Sequence, residues 1–433
     1  MATARTWGRV SRWPGTAAFP PNRKRKVHPV TARAEWKAHW GVPLAAALGY
    51  ATSVIHIYGL GVYIEPISES FGWSRATTTF GMTIATLIQA VFGVPIGMLV
   101  DKVGPRILGI IGIPLTCAAF TLLGTASGSA WQWYALWTLM ALATLPVQAT
   151  VWTAAVASRF ARSRGLAFAI TLCGASVAAA LFPWLGARLI AAYGWQSAMA
   201  WQGLAWMALA WPVILVLFRT GRTPPPAKDD APASRTPAPE GVSFLEGLRS
   251  PVYLRLLVAS LLFTFTVLAL VVHFVPILTD AGLPPARAAA LASLIGLFSI
   301  AGRLGTGLLL DRFPAAYVGA AIFLLPVASG LILLGAGAQG AVPVAVLIGL
   351  TLGAEVDVIV YLATRHFGLK AFGALYGGLL VALSVGTALG PLAASAVYDR
   401  TGGYDMFLLT TLVLMVAASL ALFSLPRPAF GHE

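Results

Sequence analysis

Charge is scarce in this sequence. Of 433 residues only 10% are Asp, Glu, Lys or Arg, while 58% are hydrophobic. Soluble domains carry about 25% charged residues, so a soluble fold of this size would lack the polar surface it needs. Cysteine is nearly absent too: Cys117 and Cys173 both sit inside apolar runs. Two cysteines exclude a disulfide scaffold, and without a CxxC or Cys/His cluster no metal site is expected. There is no nucleotide-binding P-loop, no HExxH and no GxSxG. Primary pumps and common membrane hydrolases therefore have no support. The chain reads as neither an enzyme nor a cofactor carrier. Disorder is excluded by the apolar content.

What is present is long apolar runs. A membrane-crossing helix needs about 20 apolar residues. Such runs lie near 40–64, 76–100, 107–126, 131–157, 166–187 and 198–218, then near 252–278, 288–310, 315–336, 341–363, 371–397 and 406–424. They are too long and too uniformly apolar for spanning strands, which are about ten residues long with alternating polarity. The spacing predicts an all-α polytopic membrane protein: twelve transmembrane helices in two six-helix halves, 40–218 and 252–425. Between the halves, residues 219–251 hold seven prolines with Lys228, Asp229, Asp230, Arg235 and Glu240. Such a segment cannot bury a core and reads as a solvated linker.

The formal charge of +14 would suggest nucleic acid in a soluble chain. Placed on this topology it does not. The tail 1–39, the linker, the alternate loops on the same side and the end 426–433 hold 24 of the 29 Lys and Arg. The other side holds Arg75, Arg188, Arg287 and Arg400, and Arg303 is left inside a span. The positive-inside rule then puts both termini in the cytoplasm. The expected site is the plasma membrane, or the inner membrane of a Gram-negative bacterium. The basic tail, with Arg23-Lys24-Arg25-Lys26, reads as topology-setting; an acidic-lipid patch, a transit peptide or a mis-assigned start codon are the alternatives.

The halves share a pattern. Gly97-Met-Leu-Val-Asp101-Lys102-Val-Gly104-Pro-Arg106 follows the second span, and Gly307-Leu-Leu-Leu-Asp311-Arg312 follows the eighth, 210 residues later. Gly72-Trp-Ser-Arg75 and Gly282-Leu-Pro-Pro-Ala-Arg287 open the same two spans; Tyr193-Gly194-Trp195 and Gly402-Gly403-Tyr404 follow the fifth and eleventh. Corresponding elements at one offset imply two halves related by an axis along the membrane normal, with a substrate site between them. The loop glycines would allow close helix approach. The loop aspartates would pair with a cation or a helix N-terminus in one conformation and release it in another.

These loops and the six-linker-six plan resemble the major facilitator superfamily. Finer matches resemble its monocarboxylate transporter and oxalate/formate antiporter branch. They are Gly61-Val-Tyr-Ile-Glu65-Pro66 with Phe71-Gly-Trp-Ser-Arg75; Arg159-Phe-Ala-Arg-Ser-Arg164-Gly165 with Gly174-Ala-Ser; Arg303 eight residues before Asp311; and Phe367-Gly-Leu-Lys370-Ala-Phe-Gly373-Ala-Leu-Tyr376-Gly377 with Gly390-Pro391 and Tyr398-Asp399. The resemblance implies secondary transport of a monocarboxylate. Two departures leave the acid open. Ser299 stands where animal carriers place an acid one turn before the arginine, and Tyr58 stands where some members have a first-helix lysine.

The polar groups left inside the spans form the candidate site. Arg303, about mid-span, is expected to meet an anion in a central cavity, because a guanidinium can fork two N–H bonds onto a carboxylate. Tyr58, His56 and His273 are candidate substrate contacts. Glu355, Asp357 and His56 are candidate proton carriers. Glu355 and Asp357 are two residues apart and point about 200° apart on a helix, so one is expected to pair with a cation and the other to titrate. The expected partners are a small organic anion, protons and the lipid bilayer. The chain is expected to work as a monomer without nucleic acid. The expected function is proton-coupled symport by alternating access; carboxylate exchange, proton-driven efflux of another compound and a non-transporting sensor are the alternatives.

Overall fold

The computed structural model of the chain describes residues 32–160, 163–219, 241–310, 312–368 and 370–428. Asp311 and most of the basic tail and proline-rich linker lie outside the described residues, as does the side chain of Asp101. Every named element is helical.

A short helix, α1 (Ala32–His39), leads into a broken first crossing of α2 (Gly41–Ser53), α3 (Ile55–Leu60), one 3-10 turn and α4 (Ile64–Phe71). The crossing bends by 48°. Then follow α5 (Arg75–Val103), α6 (Pro105–Leu123), α7 (Ala130–Thr144), α8 (Ala149–Ala157) and α9 (Arg164–Leu217). The second half has α10 (Phe244–Arg249), α11 (Pro251–Asp280), α12 (Pro285–Leu310), α13 (Ala315–Ala336), α14 (Ala341–Phe367), α15 (Phe372–Thr401) and α16 (Asp405–Phe423).

Helix α9 is too long for one crossing. Its 54 residues would extend about 80 Å at 1.5 Å per residue, against a hydrocarbon core of about 30 Å. It folds back at Gly194, whose φ of 74° only glycine adopts without strain. Helices α13 and α14 turn at Gly337 in the same way, with φ 51°. Helices α7 and α8 form one crossing interrupted at Leu145–Val147, where Pro146 removes a backbone donor. Counted so, the described helices make twelve crossings, six before the linker and six after. The last part of the linker is not irregular: Ser243 and Glu246 form a capping box that starts α10.

Lipid is as apolar as leucine, so burial alone cannot pull such helices together; close packing and interhelical bonds must do it. Small residues supply the fit. A side-chain carbon on Gly353 would sit 1.9 Å from the Ser299 carbonyl oxygen, and one on Gly302 2.2 Å from that of Leu350. Backbone thus lies against backbone where α14 crosses α12. Leucines, valines and phenylalanines such as Val91, Leu254 and Val413 stay exposed on outer faces, where lipid would cover them.

The two largest helix pairs between the halves are α5 on α15 and the first arm of α9 on α12, and α11 also touches the first crossing at Gly61. Under the 210-residue correspondence α5 matches α12, and the first arm of α9 matches α15. The two pairings are therefore one contact used twice, as a two-fold axis along the membrane normal requires.

Candidate functional site

Arg303 lies on α12, seven residues before that helix ends at Leu310. This places it about two turns from the linker face rather than mid-span. The glycine fit between α12 and α14 sets its guanidinium beside Asp357. One terminal nitrogen, Nη1, donates to both carboxylate oxygens at 3.4 Å. The bond is long, since charge-assisted pairs usually close to 2.7–2.9 Å. The Arg303 side chain is 13% exposed and that of Asp357 32%. The arginine's Nε is buried with no partner. Glu355 is buried on the same helix, within Coulombic range of Arg303. The two acids thus divide: Asp357 holds the cation and Glu355 stays close without bonding it.

Residues from other helices complete this group. Tyr50 on α2 and Tyr58 on α3 lie within Coulombic range of both Arg303 and Glu355. Cys173 on α9 is in range of Arg303, and Tyr376 on α15 is in range of Glu355 and Asp357. Both halves therefore face one buried cation. Tyr50 was not singled out in the sequence; its signal is a phenol two helical turns before Tyr58, on the same side of the first span. Tyr50 also lines a cavity of about 520 Å³ walled by Ser53, Gln89, Gln148, Gly377 and Ser384 among others.

His56 and His273 occupy corresponding spans, but the structure separates their settings. His56 is fully buried in the first half, its Nε2 3.3 Å from Gln89 Nε2 and its ring edge-on to Trp137. Gln89 also donates to Thr144 at 2.7 Å and lines the cavity. His56 therefore stands one residue behind the cavity wall. His273 lies at the other membrane face, within a seam between the halves.

That seam is closed by groups that the sequence offered only as parts of repeats and family motifs (Arg75, Tyr398, Asp399 and Tyr404) or, for Asp280, did not single out. Arg75 at the start of α5 donates to the two oxygens of Asp280 at 2.9 and 3.1 Å and to the Tyr404 hydroxyl at 2.7 Å. Its guanidinium stacks 3.6 Å from the centre of the Tyr398 ring. Asp399, at the end of α15, accepts from the backbone amides of Arg75 and Ala76, both at 2.8 Å. A carboxylate from one half thereby caps a helix N-terminus of the other. Deeper in the seam Thr79 donates to Ser395 and Thr83 to the Ala388 carbonyl. His273 Nδ1 is 2.8 Å from the Tyr404 hydroxyl, and its Nε2 is 2.9 Å from the Pro391 carbonyl.

The paired loops look different. Gly104 takes φ 89° and allows the chain to turn from α5 into α6, with Lys102 and Arg106 exposed on either side. Arg312 is exposed beyond α12. A side-chain carbon on Gly97 or Gly307 would meet nothing within 4 Å. The close approach expected of these two glycines is not made in this conformation.

Twelve crossings in two matched halves, joined along one face around a buried cation, define a membrane transporter. The family model of the Major Facilitator Superfamily matches residues 46–374, and the chain belongs to that superfamily. It is similar to the MFS transporter asaE of Aspergillus flavus, 28% identical over 341 residues covering 76% of this chain and 73% of the relative. Monocarboxylate transporter 13 of Bos taurus is 28% identical over 414 residues, 90% of this chain and 89% of the relative. Riboflavin transporter RibJ of Trypanosoma cruzi is 28% identical over 165 residues, 38% of this chain and 34% of the relative. Among solved structures, a bacterial homolog to the human lysosomal transporter Spinster, in an inward-facing and unoccupied conformation, has a similar fold. Its TM-score is 0.68 at 19% identity, covering 91% of this chain and 97% of that one.

Proposed function

We propose that the protein carries a small organic anion, a monocarboxylate, by proton-coupled symport and alternating access. The observation that carries this reading is Arg303. A cation within a membrane span is costly unless it is answered by an anion, and here its tie to Asp357 is long and its Nε has no partner. A bound carboxylate would take the free fork of the guanidinium. Tyr58 and Tyr50 would donate hydroxyls to it. Glu355, buried and held close to Arg303 without a bond, would carry the proton, with Asp357 and His56 the other candidates. His56 would act through Gln89.

The linker face is the cytoplasmic one on this reading, by its excess of Lys and Arg, and the membrane is the plasma membrane. The closed seam at Arg75 then faces outward, and the 520 Å³ cavity belongs to an inward-open state. A single chain holds the whole path and works as a monomer. The pattern Gly97, Asp101, Lys102, Gly104 and Arg106, with Gly307, Asp311 and Arg312, would close the cytoplasmic side in the other state. The agreement over 90% of the chain with a relative named as a monocarboxylate transporter supports the substrate class.

The test is uptake of labelled small carboxylates into proteoliposomes with and without a pH gradient. Uptake driven by an inward proton gradient and lost in Arg303→Ala is the expected result. Full activity in Arg303→Ala would sink the carboxylate assignment. Counterflow indifferent to pH would replace symport by exchange.

A further inference from the structure

The closed seam encloses a titratable group, His273, whose contacts favour one protonation state. Arg75 can only donate, so it uses a lone pair of the Tyr404 oxygen and leaves the hydroxyl proton to point at His273 Nδ1. The Pro391 carbonyl can only accept, so His273 Nε2 carries the ring hydrogen. The neutral Nε2–H tautomer satisfies these contacts without a second cation beside Arg75, and Ser395 Oγ lies 3.2 Å from the same Nε2. A second proton, on Nδ1, would take the acceptor from Tyr404 and add a cation in Coulombic range of Arg75.

Opening the seam reverses this. Arg75 and the α5 N-terminus leave with the first half. His273, Asp280, Tyr398, Asp399, Tyr404 and Asp405 all stay with the second, and Glu65 on α4 is the remaining ionisable group near the Tyr398 ring. The second half then keeps its carboxylates and loses the guanidinium. Asp399, in Coulombic range of His273, loses both backbone donors as well. We infer that His273 takes up the proton that replaces Arg75 when the seam opens, so that one positive charge exchanges for another in front of the same carboxylates. The seam can close again only after that proton leaves His273, and coupling requires that it be handed inward to the Glu355 carboxylate rather than returned to the side it came from. This step rests on the proton-coupled reading above and places a coupling residue at the gate, apart from Arg303.

The test follows the seam itself, without substrate. Spin labels at the exposed positions Ser129 and Ala286, in full-length protein with Cys117 and Cys173 replaced by serine, report the distance across the closed face. The open-to-closed ratio is expected to rise as pH falls from 8 to 5, by up to about tenfold per pH unit for one linked proton. His273→Gln keeps an acceptor and a donor in the ring's place, and its ratio is expected to stay flat. A flat wild-type profile, or an unchanged slope in His273→Gln, overturns the inference. His273→Asn is a second variant for the case that His273→Gln does not fold; it also removes the titrating ring, and an unchanged slope there overturns the inference as well. The carrier reading fails separately: full proton-driven uptake in Glu355→Gln and Arg303→Ala would refute that reading and leave the slope intact.

Discussion

Removing Arg75 should open the closed face, and the size of the effect can be worked from the seam. Arg75→Ala deletes two bonds to Asp280, one to Tyr404 and the guanidinium stack on Tyr398. Hydrogen bonds involving a charged group contribute about 1.5–3 kcal/mol net, and a cation–π contact about 0.5–2. The side chain of Arg75 is 9% exposed but that of Asp280 is 28%, so Asp280 recovers water when it loses its partner. The Asp399 bonds to backbone amides survive the substitution. Water around the part-exposed Asp280 discounts its two bonds to about 1 kcal/mol together. With about 1.5 for the Tyr404 bond and about 0.5 for the stack, the closed state should lose about 3 kcal/mol, which is about 150-fold in the closed-to-open ratio. A cysteine at Ala388, buried beneath the seam, reads this as its reaction rate with a membrane-impermeant maleimide added from the closed face. Cys117 and Cys173 are removed first. The rate should rise by a comparable factor, and Arg75→Lys, which keeps the charge without the fork, should fall between. A rate within twofold of the parent would refute the argument that this cluster holds the face shut.

Four further outcomes are expected. Arg303→Ala should lower carboxylate kcat/KM by at least about 100-fold, the loss of two charge-assisted bonds, with Arg303→Lys retaining part of it. Gly353→Leu has no room, because a carbon there would sit 1.9 Å from the Ser299 carbonyl; thermal denaturation in detergent should show a Tm drop of several degrees or a failure to express. Gly97→Leu meets nothing within 4 Å in this state, so the Tm should hold while uptake falls, because the added bulk obstructs the state in which this face closes. His39, at the end of α1, is disfavoured as a cation by burial and by Arg159 nearby. A histidine shifted downward in the folded state stabilises it above the ordinary pKa of about 6.5 and loses that stability as pH falls through it. Hydrogen exchange in Ala32–His39, corrected for intrinsic rates, should therefore speed up below about pH 6.5.

Much of the fold was legible because each crossing is a long apolar run and its ends carry glycine, proline or charge. Helix α13 runs from Ala315 to Ala336, as the hydropathy implies. Turns were readable where chemistry forces them, as at Gly104 and Gly194. The break at Leu145–Val147 was not, since hydropathy does not register which backbone bonds close. Arg303 was legible for a simple reason: a lone cation in an apolar run must be answered by something. Its nearest acid was only half legible. Glu355 and Asp357 are equally placed in sequence, and only the packing of α14 on α12 turns Asp357 toward the guanidinium. The seam was hidden. Arg75, Asp280 and Asp399 look like ordinary loop charges, and their pairing spans 205 and 324 residues. Short-range pattern contains no term for such partners.

Arg75, Thr79 and Thr83 make the side-chain bonds across the seam from α5, and they are four residues apart in turn. They lie on one stripe of that helix, about 6 Å apart in depth. The bonds therefore part in order from the rim inward, each freed group meeting water before the next is strained. Opening becomes a sequence of small barriers instead of one large one. The outermost step breaks the most bonds, because the ion pair sits there. Thr79 and Thr83 then govern how often a partly opened face zips shut again, so threonine-to-valine changes at these two positions should alter how long the face stays open more than how often it begins to open.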